Sequence, residues 1–392
     1  MPDDGRWRME EQAYRNRVSW MMFLLSILVI WVHSYNVELF AGGLWGPSWE
    51  FAAWLEDFLS VTVGQIAVPG FFLLSSCLFF RNFTWEKLAS KWKRRFFSVA
   101  VPYGVWNLLY YFGYVTATRL PFVQTVVGKE PVSFGFPEIL NALLNYAYAP
   151  IFWYLFQLIL LIFLSPAIYL LMKRKGVGFL CLAGMAAAIH FHLDTSHPNT
   201  DALFYYSFAA YMTLHHKEAV EGTGRKSGTP AKKRPPAKNK NGMVSETERI
   251  LTAEGMKRLA AGAIGMLAAV FCLWKALDPA ADVLWTVSGR LLAPSALWCL
   301  LSGIRLPDAR PWMRQSMFLY GIHFIIVRFI NKGTALAAAR LLPAAWLPEV
   351  AVLVYLLLPA MAVAVSYGAA LILNRWFPVV WRLLSGGRSL EG

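Results

Sequence analysis

The sequence predicts an all-α polytopic membrane protein of about ten transmembrane helices with cytoplasmic N- and C-termini, and three observations carry this. Of its 392 residues, 57% are hydrophobic and only 15% charged, against roughly 25% charged in soluble domains. Apolar runs approaching the length of a bilayer-crossing helix recur along the chain, about 20 residues at 1.5 Å each. Lysine and arginine collect in every second connection, as the positive-inside rule requires of cytoplasmic loops. The alternating ten-residue segments of a β-barrel do not occur.

Residues 1–18 read as a short cytoplasmic arm containing Arg6, Arg8, Arg15 and Arg17. The first span, 19–36, is apolar until His33. No small-residue cleavage site follows it, which marks a retained helix and not a signal peptide. A loop, AGGLWGPSWEF, separates it from the second span at 58–80, after which RNFTWEKLASKWKRR supplies a basic cluster. The third span, 96–115, contains Pro102, tolerable where neighbouring helices satisfy the freed carbonyl. A loop runs to Pro150; spans four to six follow at 151–172, 177–190 and 202–214, so residues 19–216 hold the first six. Residues 217–257 are rich in Pro and Lys and predict a disordered cytoplasmic linker. Its basic run at 232–240 reads as a tether, with contact to anionic lipid the alternative. Spans seven to ten, at 259–277, 283–303, 312–330 and 347–373, fill residues 258–375, and 376–392 form a cytoplasmic tail.

With the N-terminus inside, only Arg119, Lys129, Lys332 and Arg340 fall on outer loops, while Lys275, Arg290 and Arg328 lie within or at the ends of spans. The formal charge of +14 is therefore mainly a topology signal, and no nucleic-acid partner is implied. The expected location is the cell (inner or plasma) membrane, with the lipid bilayer as a partner. Cys77, Cys181, Cys272 and Cys299 all lie in apolar runs without metal spacing, and imply neither disulfide nor zinc.

His33 stands about 21 Å along its helix from Ser19, in the outer third of the bilayer. The span count leaves no Asp or Glu in mid-span, so histidine is the principal proton acceptor at membrane depth. Ionisable groups there usually face a cavity or a partner; a polar residue hydrogen-bonded to a neighbouring helix is the plainer alternative. A late pair, Tyr320 and His323, shares one helical face near the middle of the ninth span.

Several motifs then align. The second span reads GQIAVPGFFLLSSCLFF, with Phe71, Phe72 and Ser75, followed by Lys93, Arg94, Arg95 and then Pro102-Tyr103. The fourth span carries Trp153-Tyr154-Leu155, and the ninth Tyr320-x-x-His323. In this order, with His33 on the first helix, the chain resembles the membrane-bound acyltransferase-3 family, O-acyltransferases of bacterial glycans and related acceptors, over about residues 19–375. Two positions depart from the family pattern. Met22 stands where a basic residue commonly lies eleven residues before the histidine, and Ser76 where glycine is usual.

The resemblance implies transfer of an acyl group, acetyl from cytoplasmic acetyl-CoA, to a hydroxyl of a cell-envelope glycan or lipid-linked sugar. His33 would be the general base, a role that needs a neutral imidazole titrating near the working pH. Tyr320 and His323 would act beside it, and Ser75 and Arg290 would line the substrate path. Lys93, Arg94 and Arg95, with Lys91, would hold the donor phosphates; positive-inside topology alone predicts the same charges. No metal is implied.

The remaining residues leave alternatives open. Tyr320 and His323 would equally serve as a structural polar pair between helices. Arg290 lies about 10 Å inside the eighth span, deeper than snorkelling explains. A substrate anion, a water-filled cavity or a structural partner would each account for it. Arg328 points about 140° away from His323 and snorkels. Trp45, Trp49 and Trp54 form an interfacial belt or stack on a sugar, the belt being the default. His190, His192 and His197 surround Asp194 without zinc spacing and read as loop residues. Two other functions fit the composition, a transporter of a glycan or lipid-linked precursor and a catalytically inactive family member. The absence of a clear internal repeat counts against the first, and Met22 gives weight to the second.

Overall fold

The computed structural model describes residues 4–121, 130–193, 195–221 and 253–390. Helix α1 (Asp4–Val32) begins far ahead of the first apolar run. The expected arm is therefore an N-terminal extension of the helix, reinforced where Arg15 pairs with Glu11 one turn back at 2.9 Å. After α1 the chain unwinds through His33 to Asn36 and re-enters a short helix, α2 (Val37–Ala41).

The expected loop before the second span is largely helical. Pro47 occupies the first turn of α3 (Pro47–Asp57), where its missing N–H costs nothing. The helix continues through a π-helical segment, Phe58–Val63, and a 3-10 turn, Gly64–Ile66, into α4 (Ala67–Phe80). A Cβ on Gly64 would lie 2.6 Å from Val32 Cγ2 and 3.2 Å from the Leu28 carbonyl oxygen, so α1 rests directly on this join.

The amphipathic α5 (Leu88–Arg95) passes through a second π-helical segment, Phe96–Ala100, into α6 (Val101–Ala117). Then follow α7 (Phe136–Leu144), α8 (Trp153–Phe163), α9 (Ser165–Met172), α10 (Lys175–His190), α11 (Thr200–His215) and α12 (Lys217–Glu221). Beyond the break come α13 (Ala253–Lys275), α14 (Val283–Gly303), α15 (Ser316–Leu341), α16 (Leu347–Trp376) and α17 (Pro378–Ser385). The linker expected at 217–257 lies mostly outside the described residues; its first residues form α12 and its last already belong to α13.

Among the described residues, six helical stretches are long and apolar enough to cross a membrane, seven if α8 and α9 form one span. Those two meet at 62°, at Ser165-Pro166, where proline removes a helical hydrogen bond. The fifth and sixth expected spans fall on α10 and α11, each of 16 residues. Such helices reach only about 24 Å, short of a core of about 30 Å. The third falls on the π-helical segment Phe96–Ala100 together with α6, continuous with α5, and is not among these apolar stretches. The ninth expected span also shifts: α15 runs on to Leu341, placing Tyr320 and His323 in its first two turns and not at its middle. Aromatic side chains fill the main core, with Phe72, Phe79, Phe80, Phe152, Tyr206 and Phe318 almost fully enclosed.

The unwound segment at 33–36 is tied to three other elements. Glu56, only 2% exposed, accepts the Asn36 N–H at 3.1 Å and the Val37 N–H at 3.3 Å. Asn331 of α15 donates its amide to the carbonyls of Ser34 and Tyr35 at 3.0 and 3.2 Å. The Ser60 hydroxyl donates to the Trp31 carbonyl at 2.9 Å, and the Asn36 amide to the Ala351 carbonyl at 3.1 Å. Buried backbone groups left without partners are costly. The Glu56→Ala variant should therefore lose about 1–3 kcal/mol of stability, seen as a lowered melting temperature in detergent, whereas the exposed Glu38→Gln should melt like the parent.

Candidate functional site

His33 sits on the first residue past α1, partly exposed, and the second turn of α15 brings His323 against it. The two imidazole centroids lie 5.4 Å apart and are tilted by 41°. His323 is fully buried, and its Nδ1 lies 2.8 Å from the Tyr320 carbonyl oxygen. A carbonyl only accepts, so Nδ1 carries a proton, and in the neutral form of the ring the lone pair is at Nε2. That nitrogen is buried and has no hydrogen-bond partner among the described residues. Phe324 packs edge-on against His33 at 5.7 Å, and the Arg328 guanidinium lies 4.2 Å over the Phe324 ring. Arg328 thus covers this corner through an aromatic ring.

Rings continue from the histidines into the bundle. Tyr320 lies 5.8 Å from His323, and Tyr154 of α8 lies 5.9 Å from Tyr320. The Tyr320 hydroxyl donates to the Ile151 carbonyl, and the Tyr154 hydroxyl meets Ser75 Oγ at 3.5 Å. Trp106 packs against α15 at Gly321, where any Cβ would run into its indole, and the Tyr110 hydroxyl donates to the Gly321 carbonyl at 3.1 Å. These contacts fix the turn that carries both Tyr320 and His323.

At the other end of this column is a cavity of about 70 Å³ lined by Ser75, Tyr154, Tyr320, Arg95, Arg388 and Met22, among others. Arg95 Nη2 donates to the Ser75 carbonyl at 3.4 Å, and Arg388 Nη1 to Ser316 Oγ at 2.6 Å. Burial, and after it the Arg95 charge, pulls the Arg388 guanidinium down to about 10. Arg95 is shifted downward too, mainly by burial. No carboxylate among the described residues lines this cavity. Arg95 also borders a wider cleft of about 340 Å³ beside Lys93, Trp92 and Phe163.

The expected site residues therefore divide. His33, Tyr320 and His323 come together, and Ser75 and Arg95 join them through Tyr154. Arg94 is exposed on α5, and Lys93, also exposed, borders only the wider cleft. Lys91 turns inward and donates to the carbonyls of Phe79 and Arg81, capping the C-terminus of α4. Arg81 is committed to ion pairs with Glu11 at 2.8 Å and Glu221 at 2.9 Å. Arg290 lies on α14, one turn from Val287, whose carbonyl accepts the Tyr205 hydroxyl, and does not line the Arg95 cavity. Ser76 donates to the Tyr206 carbonyl at 2.6 Å, so this departure from the family pattern serves the α4–α11 contact. Trp49 is buried in packing, while Trp45 and Trp54 are exposed. His190 pairs with Asp282, and no group of three metal-ligating side chains occurs among the described residues.

The spatial order of these motifs agrees with a match of the acyltransferase-3 family's acyltransferase domain to residues 16–373. The chain belongs to the acyltransferase-3 family. It is a multi-pass, helical membrane protein of that family, and membership implies an acyl donor and an acceptor. No curated protein and no solved structure matches the chain. Glu56 and Arg388 were not singled out by the sequence. Pro47 as a helix N1 residue marks the element that carries Glu56, and Gly386-Gly387 marks the turn before Arg388.

The environment of Lys91 gives a pH signature. Burial, ahead of the neighbouring Arg95 charge, lowers its amine to about 8, against about 10.4 in an unfolded chain. Between these values the unfolded state binds more protons, so stability rises as pH climbs from about 8 towards 10. Melts of the parent at pH values of about 7.5 and 9.5 should show that gain, and Lys91→Met should reduce it.

Proposed function

We propose that this acyltransferase-3 protein is an O-acyltransferase that moves an acetyl group from cytoplasmic acetyl-CoA to a hydroxyl of a cell-envelope glycan or lipid-linked sugar. His33 is the general base. The pairing of His33 with His323, whose Nε2 is buried and has no partner among the described residues, is the observation that carries this reading. A sugar hydroxyl is a poor nucleophile until its proton has somewhere to go. His33 takes that proton as the acceptor oxygen forms the new bond to the acyl carbon. The thioester C–S bond breaks, and the proton is finally delivered to the departing thiolate as CoA-SH.

The partly exposed His33 meets the acceptor, and the enclosed His323 supports it from behind with a tautomer set by the Tyr320 carbonyl. The distribution of Lys and Arg supports ten membrane-crossing segments with both termini cytoplasmic. In that orientation the donor reaches the column from the Arg95 end and the acceptor arrives at the His33 end. Lys93 lines the cleft through which the donor approaches, and the exposed Arg94 adds charge on the same helix.

Transfer of labelled acetyl from acetyl-CoA to acceptor glycans by the purified protein tests the proposal. His33→Ala should reduce transfer by about 10²–10⁴-fold. His323→Ala should also cost at least tenfold, while the partly exposed His33→Ala variant retains the parent's melting behaviour. Unchanged transfer by His33→Ala would remove His33 as base. Absence of transfer to any acceptor would instead favour transport or an inactive protein.

A further inference from the structure

The C-terminal tail beyond residue 373 lies outside the matched domain, yet one of its side chains enters the interior. Helix α17 ends in two glycines with left-handed backbone, Gly386 at φ 69° and Gly387 at φ 73°. A Cβ on Gly386 would lie 2.6 Å from the Ser98 carbonyl oxygen, so the turn is pressed against the start of the third expected span. The Trp381 indole donates to the Arg388 carbonyl at 3.2 Å and the Ser385 hydroxyl at 3.4 Å, while Leu390 is buried beyond it. The tail is thus folded back and pinned on both sides of Arg388.

What it delivers is a second guanidinium in a cavity that already holds Arg95. Each guanidinium repels the other, and no carboxylate among the described residues lines the space to offset them. Two cations held together in a partly enclosed site are stabilised by an anion, and a guanidinium fork matches phosphate geometry. Ser316 adds a hydroxyl at the N-terminal turn of the 26-residue α15, the end of a helix that favours negative charge. The cavity, at about 70 Å³, is small, but Arg95 and Val99 also border the wider cleft, where a larger body has room.

We infer that Arg388 and Arg95 together form an anion pocket that holds a phosphate group of the acyl donor, so that the C-terminal tail completes the donor site. This rests on the acyltransferase reading above. Met22 lines the same cavity, so Arg388 brings positive charge to the place where the first helix lacks it. The neighbouring column of Tyr154, Tyr320 and His323 then leads from the phosphate pocket towards His33.

Calorimetric titration of the detergent-purified full chain with CoA, pantetheine and inorganic pyrophosphate tests the pocket. Arg388→Gln should weaken CoA and pyrophosphate at least about tenfold, the loss expected of one charge-assisted hydrogen bond, and leave pantetheine unchanged. Arg388→Lys, which keeps charge but loses the fork, should fall between, and it serves as the test if the glutamine variant does not fold. The exposed Arg382→Gln should match the parent. CoA binding unaffected by either Arg388 substitution overturns the inference. Stabilisation by phosphatidylglycerol that depends on Arg388, with CoA binding that does not, would assign the pocket to a lipid headgroup and also overturn it. A parent that binds pyrophosphate through Arg388 but neither binds CoA nor transfers label would reject the CoA-dependent reaction while keeping the anion pocket.

Discussion

The arrangement depends on keeping a broken helix satisfied deep in the bundle. Between α1 and α2 the backbone leaves helical geometry for a few residues, and those residues include His33. Lipid offers nothing to such groups, so irregular backbone at membrane depth survives only inside protein. Glu56, Ser60, Asn331 and the Asn36 side chain supply the partners. A continuous helix would have needed none of them, but would have held His33 in the ladder. The break frees the ring to meet His323, and the surrounding hydrogen bonds make that position definite.

The rest of the site follows from anchoring α15. Tyr320 and His323 share a face, but their usefulness depends on where that face points. Trp106 against Gly321 and Tyr110 on its carbonyl set the rotation of the helix. The Tyr320 carbonyl in turn sets the tautomer of His323. A backbone oxygen thereby decides which imidazole nitrogen is left with its lone pair, without a carboxylate partner. The basic surface is similarly partitioned. Lys91 and Arg81 are consumed in holding helix ends, leaving Arg95 as the member of that cluster that reaches the column.

Helical membrane architecture and the family were legible because apolar length, charge alternation and ordered motifs are properties of the chain itself. His33, Tyr320, His323, Ser75 and Arg95 were legible for the same reason, and they converge. The role of Glu56 was hidden because AGGLWGPSWEF is polar and glycine-rich, although Pro47 opens a helix within it. Glu56 is nonetheless buried, on the helix that leads into the second span. Arg388 was hidden for another reason: its cavity partners are distant in sequence, and a tail arginine looks like topology charge until the glycine turn folds it inward. Arg290 looked equally interesting by depth, but depth alone does not choose a neighbour, and its helix faces a different interface.

The satisfaction of the broken helix also sets a schedule for biogenesis. His33 enters the membrane early in synthesis, while the groups that complete its turn, Asn331 and the Ala351 carbonyl, are made some 300 residues later. Until those last helices arrive, the nascent first hairpin carries polar backbone that its immediate neighbours satisfy only in part. Insertion intermediates would therefore rely on the translocon or a membrane chaperone to shelter that segment. Chains ending before residue 331 would lack the amide that holds the Ser34 and Tyr35 carbonyls beside His33.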